Sequence, residues 1–280
     1  MKKLLTKDWV IPRLPKRPKD ANKGTFGKIL VIAGSENYPG AAYLCCATAY
    51  RVGVGLVTLA TSTEVKIIVS RKLPEVTFIS LNEVYEKLAR YDVLLLGPGL
   101  SQKEQTAKFV RQLLKQKLPN TVIDGDGLNI LSKIDKWWKK INADCILTPH
   151  PGEMARLTGL TIEKIQSDRE NIAKEYASLW KQAIVLKGAN TVIVSPSGKV
   201  MVSPFANPVL ATAGTGDVLA GIIAGLMAQG LDTYDGFDAA CCGVYIHGLA
   251  GEEVRKKSGD AGGVASDLLP ILPKIIRQLK

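Results

Sequence analysis

The chain has 280 residues, 46% of them hydrophobic, and a formal net charge of +11, which implies a globular protein with a sizeable core and excludes a disordered polypeptide. Residues 1–28 hold nine Lys and Arg against Asp8 and Asp20 alone, so the excess charge is local, and with no zinc-finger or RRM pattern no nucleic-acid partner is expected. The apolar stretch VLAGIIAGLMA after Asp217 falls short of the ~20 residues of a membrane span, so no membrane association is expected.

Residues 1–22 read as a solvated basic arm ahead of a single domain over 23–280. The opening MKKLLTKDWV lacks an apolar core and a small-residue cleavage site, so it does not read as a signal peptide and a cytoplasmic location is expected. Short apolar runs then alternate with helical patterns: KILVIAG (28–34), LVTLAT (56–61), VLLLG (93–97), TVID (121–124), CILTP (145–149) and AIVLKG (183–188). Continuous apolar strands separated by helices predict an α/β sandwich, a mostly parallel sheet covered on both faces. Thr61 with Glu64 and Ser101 with Glu104 fit the S/T-x-x-E capping box. Residues 161–182 predict a long amphipathic helix, TVIVSPSGKVMVSP an edge hairpin turning at Pro196–Gly198, and 217 to about 256 buried helices. Cys45, Cys46, Cys145, Cys241 and Cys242 sit in apolar surroundings without metal spacing, as reduced structural thiols do.

Several strands end in glycine or polar clusters: AGSENYPGAA, GPGLSQ, DGDGLN, TPHPGE and KGANT. In an open parallel sheet, ligands bind in the crevice at the carboxyl ends of the strands. Gly97-Pro98-Gly99 before a helix is either an anion contact or an ordinary tight turn. His150 lies in a rigid loop between two prolines, three residues before Glu153, and is a candidate site residue. Glu153 could bind magnesium directly or through water, or serve as an acidic first-turn residue. His247, in VYIHGLAG, reads as structural. There is no Walker A sequence and no G-x-G-x-x-G after a strand. Gly214, Thr215 and Gly216 can aim backbone amides at one point at a helix start, an anion hole. Asp217 just beyond would be repelled by a phosphate unless it takes a proton from an attacking hydroxyl, although a helix cap shares that geometry.

GTGD followed by an apolar helix resembles the anion-hole and base motif of the ribokinase-like superfamily. KGTFGKILVIAGS, YPGAA, GPGL, TPHPGE, KGANTVI and NPVLATAGTGDVLAG, in that order over residues 23–270, resemble the NAD(P)H-hydrate dehydratases. The resemblance implies a ribokinase-like three-layer sandwich that dehydrates the S epimer of hydrated NADH or NADPH at the expense of ADP or ATP. It makes Asp217 the catalytic base and Ala213, Gly214, Thr215 and Gly216 the anion hole. It assigns Lys187, Gly188, Ala189, Asn190, Thr191 and Gly216 to the nucleotide. Ala41 or Ala42, Gly99, His150 and Asp217 would contact the substrate, and Glu153 falls where related kinases place a magnesium residue. Ala206 and Leu210 stand where family members often carry glycine and methionine. The resemblance also implies Mg2+, a homotetramer and a separate NAD(P)H-hydrate epimerase as functional partner. A ribokinase-like kinase of a small alcohol, of the hydroxymethylpyrimidine, hydroxyethylthiazole or pyridoxal type, is the alternative.

Overall fold

The computed structural model of the chain describes residues 3–230 and 235–280. Residues 231–234, within the stretch expected to be helical, and residues 1–2 of the arm lie outside the described residues. Nine strands form one sheet: β1 (Lys28–Ile32), β2 (Leu56–Ala60), β3 (Thr77–Ile79), β4 (Val93–Leu96), β5 (Asn120–Ile123), β6 (Cys145–Leu147), β7 (Ala183–Leu186), β8 (Val192–Val194) and β9 (Val200–Val202). Their order is β3-β2-β1-β4-β5-β6-β7-β8-β9. Pairing is parallel from β3 to β7 and antiparallel at β8 and β9, the expected hairpin.

The strands read as unbroken apolar runs because side chains alternate between two buried faces. Ile29 and Val31 of β1 enter the core under the helices Pro39–Val52, Thr215–Gln229 and Gly236–Ser258. Leu30 and Ile32 enter the opposite core with the helices Glu104–Leu113 and Arg169–Trp180. The result is the expected three-layer α/β sandwich. All five cysteines are buried.

Local details differ from the sequence expectations. The helix Thr63–Lys72 starts after Ser62, whose Oγ accepts from the Val65 amide at 3.4 Å, so Thr61 is not the cap. Ser101 does not cap the helix Glu104–Leu113, for Lys103 holds that position without a side-chain bond. Asp126 Oδ2 instead accepts the Ser101 amide at 2.8 Å and fixes Ser101 in the left-handed region at φ +73°. The stretch 161–182 splits into two helices, Ile162–Ser167 and Arg169–Trp180, at an Asp168 with φ −147° and ψ 56°. The arm is not simply solvated: Arg13 pairs with Asp238 and Arg17 donates to the Gly53 carbonyl and Gln229. Leu5, Val10 and Leu14 join the core, and the Leu5 amide donates to the Val202 carbonyl at 2.9 Å, covering an otherwise open sheet edge.

Candidate active site

Four charged groups converge at the carboxyl ends of β5, β6 and β7. Asp124 ends β5; its Oδ1 accepts from Lys187 Nζ at 2.6 Å and from Thr148 Oγ1 at 2.7 Å. Lys187 Nζ lies 3.7 Å from Glu153 Oε2. Burial alone would lower the Lys187 pKa, but the Asp124 and Glu153 charges hold the ammonium above its ordinary value. Burial and then Asp124 push the Asp217 carboxyl up to about 7, with Lys187 opposing. Glu153 is likewise raised, by burial first, against the pull of Lys187.

Asp217 stands in the first turn of the helix Thr215–Gln229, where the helix dipole favours negative charge. Gly214 precedes that helix at φ +89°, a conformation that an L side chain rarely adopts, and a Cβ there would also press on Leu44 and Ala265. Gly216 is close enough to Lys187 that a Cβ would sit 3.4 Å from Nζ. The loop is held from within by Thr215, whose hydroxyl bonds to the carbonyls of Leu210 and Thr212 at 2.7 and 2.8 Å. The Thr215 amide also donates to Thr212, at 3.3 Å, so Thr215 shapes the loop and its amide already has an acceptor. Ala213 leads into the loop as an exposed residue.

His150 caps the helix Pro151–Thr158: its Nδ1 accepts from the amides of Gly152 and Glu153 at 3.0 and 3.3 Å. In return Glu153 Oε2 accepts the His150 amide at 2.8 Å. Burial, then Lys187 and Arg156, lower the His150 pKa, so the ring is neutral with its proton on Nε2. That nitrogen is 3.4 Å from Glu153 Oε1, and the side chain is 49% exposed while Glu153 is 5% exposed. Histidine is thus both cap and accessible donor.

A cavity of about 470 Å³ adjoins the cluster, lined by Lys187, Gly188, Ala189, Thr191 and Gly216 among others. Asn190 is not in its wall. It turns at φ +51°, and its amide and side chain donate to the carbonyls of Phe205 and Ser203 at 2.9 and 3.1 Å. Ala42 is fully buried and Ala41 nearly so. Ala41 packs where Gly99, at φ +58°, leaves no room for a Cβ.

Sequence reasoning missed several groups. Asp124 was visible only as part of DGDGLN, since its partner Lys187 is distant in sequence. Arg169 carried no motif at all. Its guanidinium donates to the carbonyls of Leu186, Lys187 and Ala189 at 2.8, 3.1 and 2.6 Å, clamping the loop that lines the cavity. His247, expected to be structural, also lines the cavity; burial pushes its pKa down to about 4, leaving it neutral.

The family model described as NAD(P)H-hydrate dehydratase matches residues 29–274. The chain is 42% identical over its full length to the bifunctional NAD(P)H-hydrate repair enzyme Nnr of Moorella thermoacetica, of which it covers 54%. It spans about half the length of the bifunctional curated relatives it matches. It is 34% identical, over 98% of each chain, to the ADP-dependent (S)-NAD(P)H-hydrate dehydratase of Bacillus subtilis. A crystal structure of the Bacillus subtilis ADP/ATP-dependent NAD(P)H-hydrate dehydratase, co-crystallised with ATP/Mg2+, matches with a TM-score of 0.88 at 33% identity, covering 100% of this chain and 99% of that one. With the motifs in their expected order and the family model spanning nearly all of the sheet, the chain belongs to the NAD(P)H-hydrate dehydratase family.

Proposed function

We propose that the chain dehydrates the S epimer of hydrated NADH or NADPH, coupled to ADP or ATP. The observation that carries this reading is a carboxyl at a helix start, Asp217, raised to about 7 within the field of the Lys187 ammonium and directly after Gly216, which with Lys187 lines a nucleotide-sized cavity. A base with a pKa near the working pH is suited to proton abstraction.

In this reading the 6-hydroxyl oxygen attacks the terminal phosphorus of the nucleotide, Asp217 takes the hydroxyl proton, and AMP or ADP leaves. Lys187 and the amides of Gly214 and Gly216 stabilise the charge on the transferred group. The ring nitrogen then expels phosphate from C6, and loss of a proton from C5 restores the dihydronicotinamide. Lys187, Gly188, Ala189, Thr191 and Gly216 hold the nucleotide, with Asn190 shaping the loop from behind. Gly99, Ala41 and His150 hold the substrate ring, His150 through its Nε2 proton.

The residues fit a magnesium ion carried mainly by nucleotide phosphates. Among the described residues no three His, Cys, Asp or Glu side chains form a metal cage, and magnesium commonly needs only one or two carboxylates, often through water. Glu153 and Asp124 would hold it, and when bound it neutralises charge on the phosphates. By family likeness we place the protein in the cytoplasm as a homotetramer working with a separate epimerase; light scattering of the purified chain tests the assembly.

The deciding assay mixes the chain with hydrated NADH and ADP or ATP. Recovery of the reduced-ring absorbance with release of phosphate supports the reading. No recovery, with a vitamin-precursor alcohol accumulating as its phosphate ester, would establish the small-alcohol kinase instead.

A further inference from the structure

The two helices that open on the reacting centre are tied together at their far ends by the N-terminal arm. The helix Pro39–Val52 begins with Ala41 and Ala42 in its first turn, and the helix Thr215–Gln229 begins just after Gly214 and carries Asp217 in its first turn. The pair packs backbone to backbone. A Cβ on Gly221 would lie 2.8 Å from the Cys45 carbonyl oxygen, and Cys45 Sγ donates to the Asp217 carbonyl at 3.5 Å. A slide of one helix along the other would therefore carry Asp217 away from its place beside Ala41 and Ala42.

At the carboxyl ends, Gln229 Nε2 donates to the carbonyls of Gly225 and Val52 at 2.9 and 3.0 Å, which joins the last turns of both helices. Arg17 of the arm closes this bridge. Its Nη1 donates to Gln229 Oε1 at 3.0 Å and, at 2.8 Å, to the carbonyl of Gly53, the residue that ends the helix Pro39–Val52 at φ +112°. The guanidinium carbon lies 3.6 Å from the centre of the Phe26 ring, and Pro15 and Pro18 restrict the chain on either side of Arg17. A cation suits this place, because unpaired carbonyls and the negative dipole ends of two helices converge there. Neither Arg17 nor Gln229 lines the nucleotide cavity.

We propose that Arg17 is a positioning residue for the dehydration: with Gln229 it fixes the axial register of the helix pair, and so the placement of Asp217 and its loop against the substrate. This inference rests on the dehydratase reading. The helix Thr215–Gln229 has 15 residues and is roughly 22 Å long at ~1.5 Å per residue, a stiff rod that passes a displacement from one end to the other. A misplacement of about 1 Å at the reacting atoms costs on the order of 10²-fold in rate.

The test measures kcat, nucleotide KM and melting temperature for the wild type, Arg17→Ala, Arg17→Lys, Gln229→Ala, the double variant Arg17→Ala with Gln229→Ala, and Leu5→Ala. The last removes a buried arm side chain that is anchored at β9 instead of at the helix ends. Kinetics are run where circular dichroism shows each chain fully folded. Arg17→Ala is expected to lower kcat by about 5- to 50-fold with the nucleotide KM within about two-fold of the wild type, because Lys187 to Thr191 follow β7 and do not depend on the helix pair. Arg17→Lys keeps the charge and should recover part of kcat, and the double variant should be no slower than the slower single one, since the two residues form one bridge. Leu5→Ala should melt lower yet keep the wild-type kcat. A kcat in Arg17→Ala within about two-fold of the wild type, or a loss of kcat in Leu5→Ala that matches its loss of melting temperature as it does in Arg17→Ala, overturns the proposal. If Arg17→Ala does not fold, the same comparison is read on Arg17→Lys and Gln229→Ala. If the wild type turns over no hydrate with ADP or ATP, the dehydratase reading itself fails and this inference falls with it.

Discussion

Lys187 Nζ lies 2.6 Å from Asp124 Oδ1, a bond between side chains that are 17% and 3% exposed and that close β7 and β5 onto one point. Asp124→Asn keeps an acceptor for the Thr148 hydroxyl but removes the countercharge of the ammonium. Breaking a fully buried pair costs ~3–5 kcal/mol; the partial exposure of Lys187 reduces this to about 1–3 kcal/mol. The expected outcome is a lowered melting temperature by calorimetry and at least a 10-fold rise in KM for the nucleotide. Thr148→Val, which loses only a hydroxyl, should shift KM far less.

Arg169 holds the carbonyls of Leu186, Lys187 and Ala189 in the loop proposed to bind the nucleotide, and among the described residues no carboxylate lies within ion-pair distance of it. Its positive charge therefore adds to the field behind Gly188 and Ala189 as well as fixing their backbone. Arg169→Ala is expected to raise the nucleotide KM about 10- to 100-fold while kcat changes by less than about five-fold. Arg169→Lys keeps the charge but loses the fork, which alone bonds several carbonyls at once. It should recover only part of the affinity. Steady-state kinetics with varied ADP or ATP separate the two contributions.

The sheet was legible because each internal strand is apolar on both faces, and that pattern survives any detail of packing. β3 was not, since Thr77, Phe78 and Ile79 form a three-residue edge strand that is only partly covered. The tight loop that opens the helix Thr215–Gln229 was legible from Gly214 and Gly216, and Gly214 does take a left-handed conformation there. What failed was what depends on a competing partner: Ser101, expected to cap a helix, is claimed by Asp126 instead. Asp124 and Arg169 escaped for the same reason, because their roles are set by groups that the fold, not the local sequence, brings near. His150 and Glu153 were noticed together through their spacing, but the reciprocal capping bonds between them were not foreseen, because histidine is not a usual cap residue.

Asp217 must be ionised to accept a proton, and burial with the nearby Asp124 raises its carboxyl to about 7. The logarithm of kcat/KM should therefore rise with a slope near one below pH about 7 and level off above it. Asp217→Asn is expected to lower kcat by roughly 10²–10⁴-fold, the usual worth of general base catalysis, with little change in nucleotide affinity measured by calorimetry. Retained turnover in this variant, or a flat profile from pH 5 to 8 in the wild type, would remove Asp217 from the base role.

The same raised carboxyl makes a separate prediction about folding. The folded Asp217 titrates near 7 and the unfolded one at its ordinary value of 3.8, so between these values the folded state binds more protons. Stability then declines as pH rises from about 4 to about 7, and the full cost persists above 7. Asp217→Asn removes this cost, because the amide resembles the protonated acid. At pH 8 the variant should be more stable than the wild type by about 1–2 kcal/mol, a figure reduced to allow for partial exposure of the group. At pH 4 and below the two should melt together. Thermal denaturation of both chains at pH 4, 6 and 8 measures the difference, and a gap that fails to open with pH would mean that Asp217 is not held protonated by its surroundings.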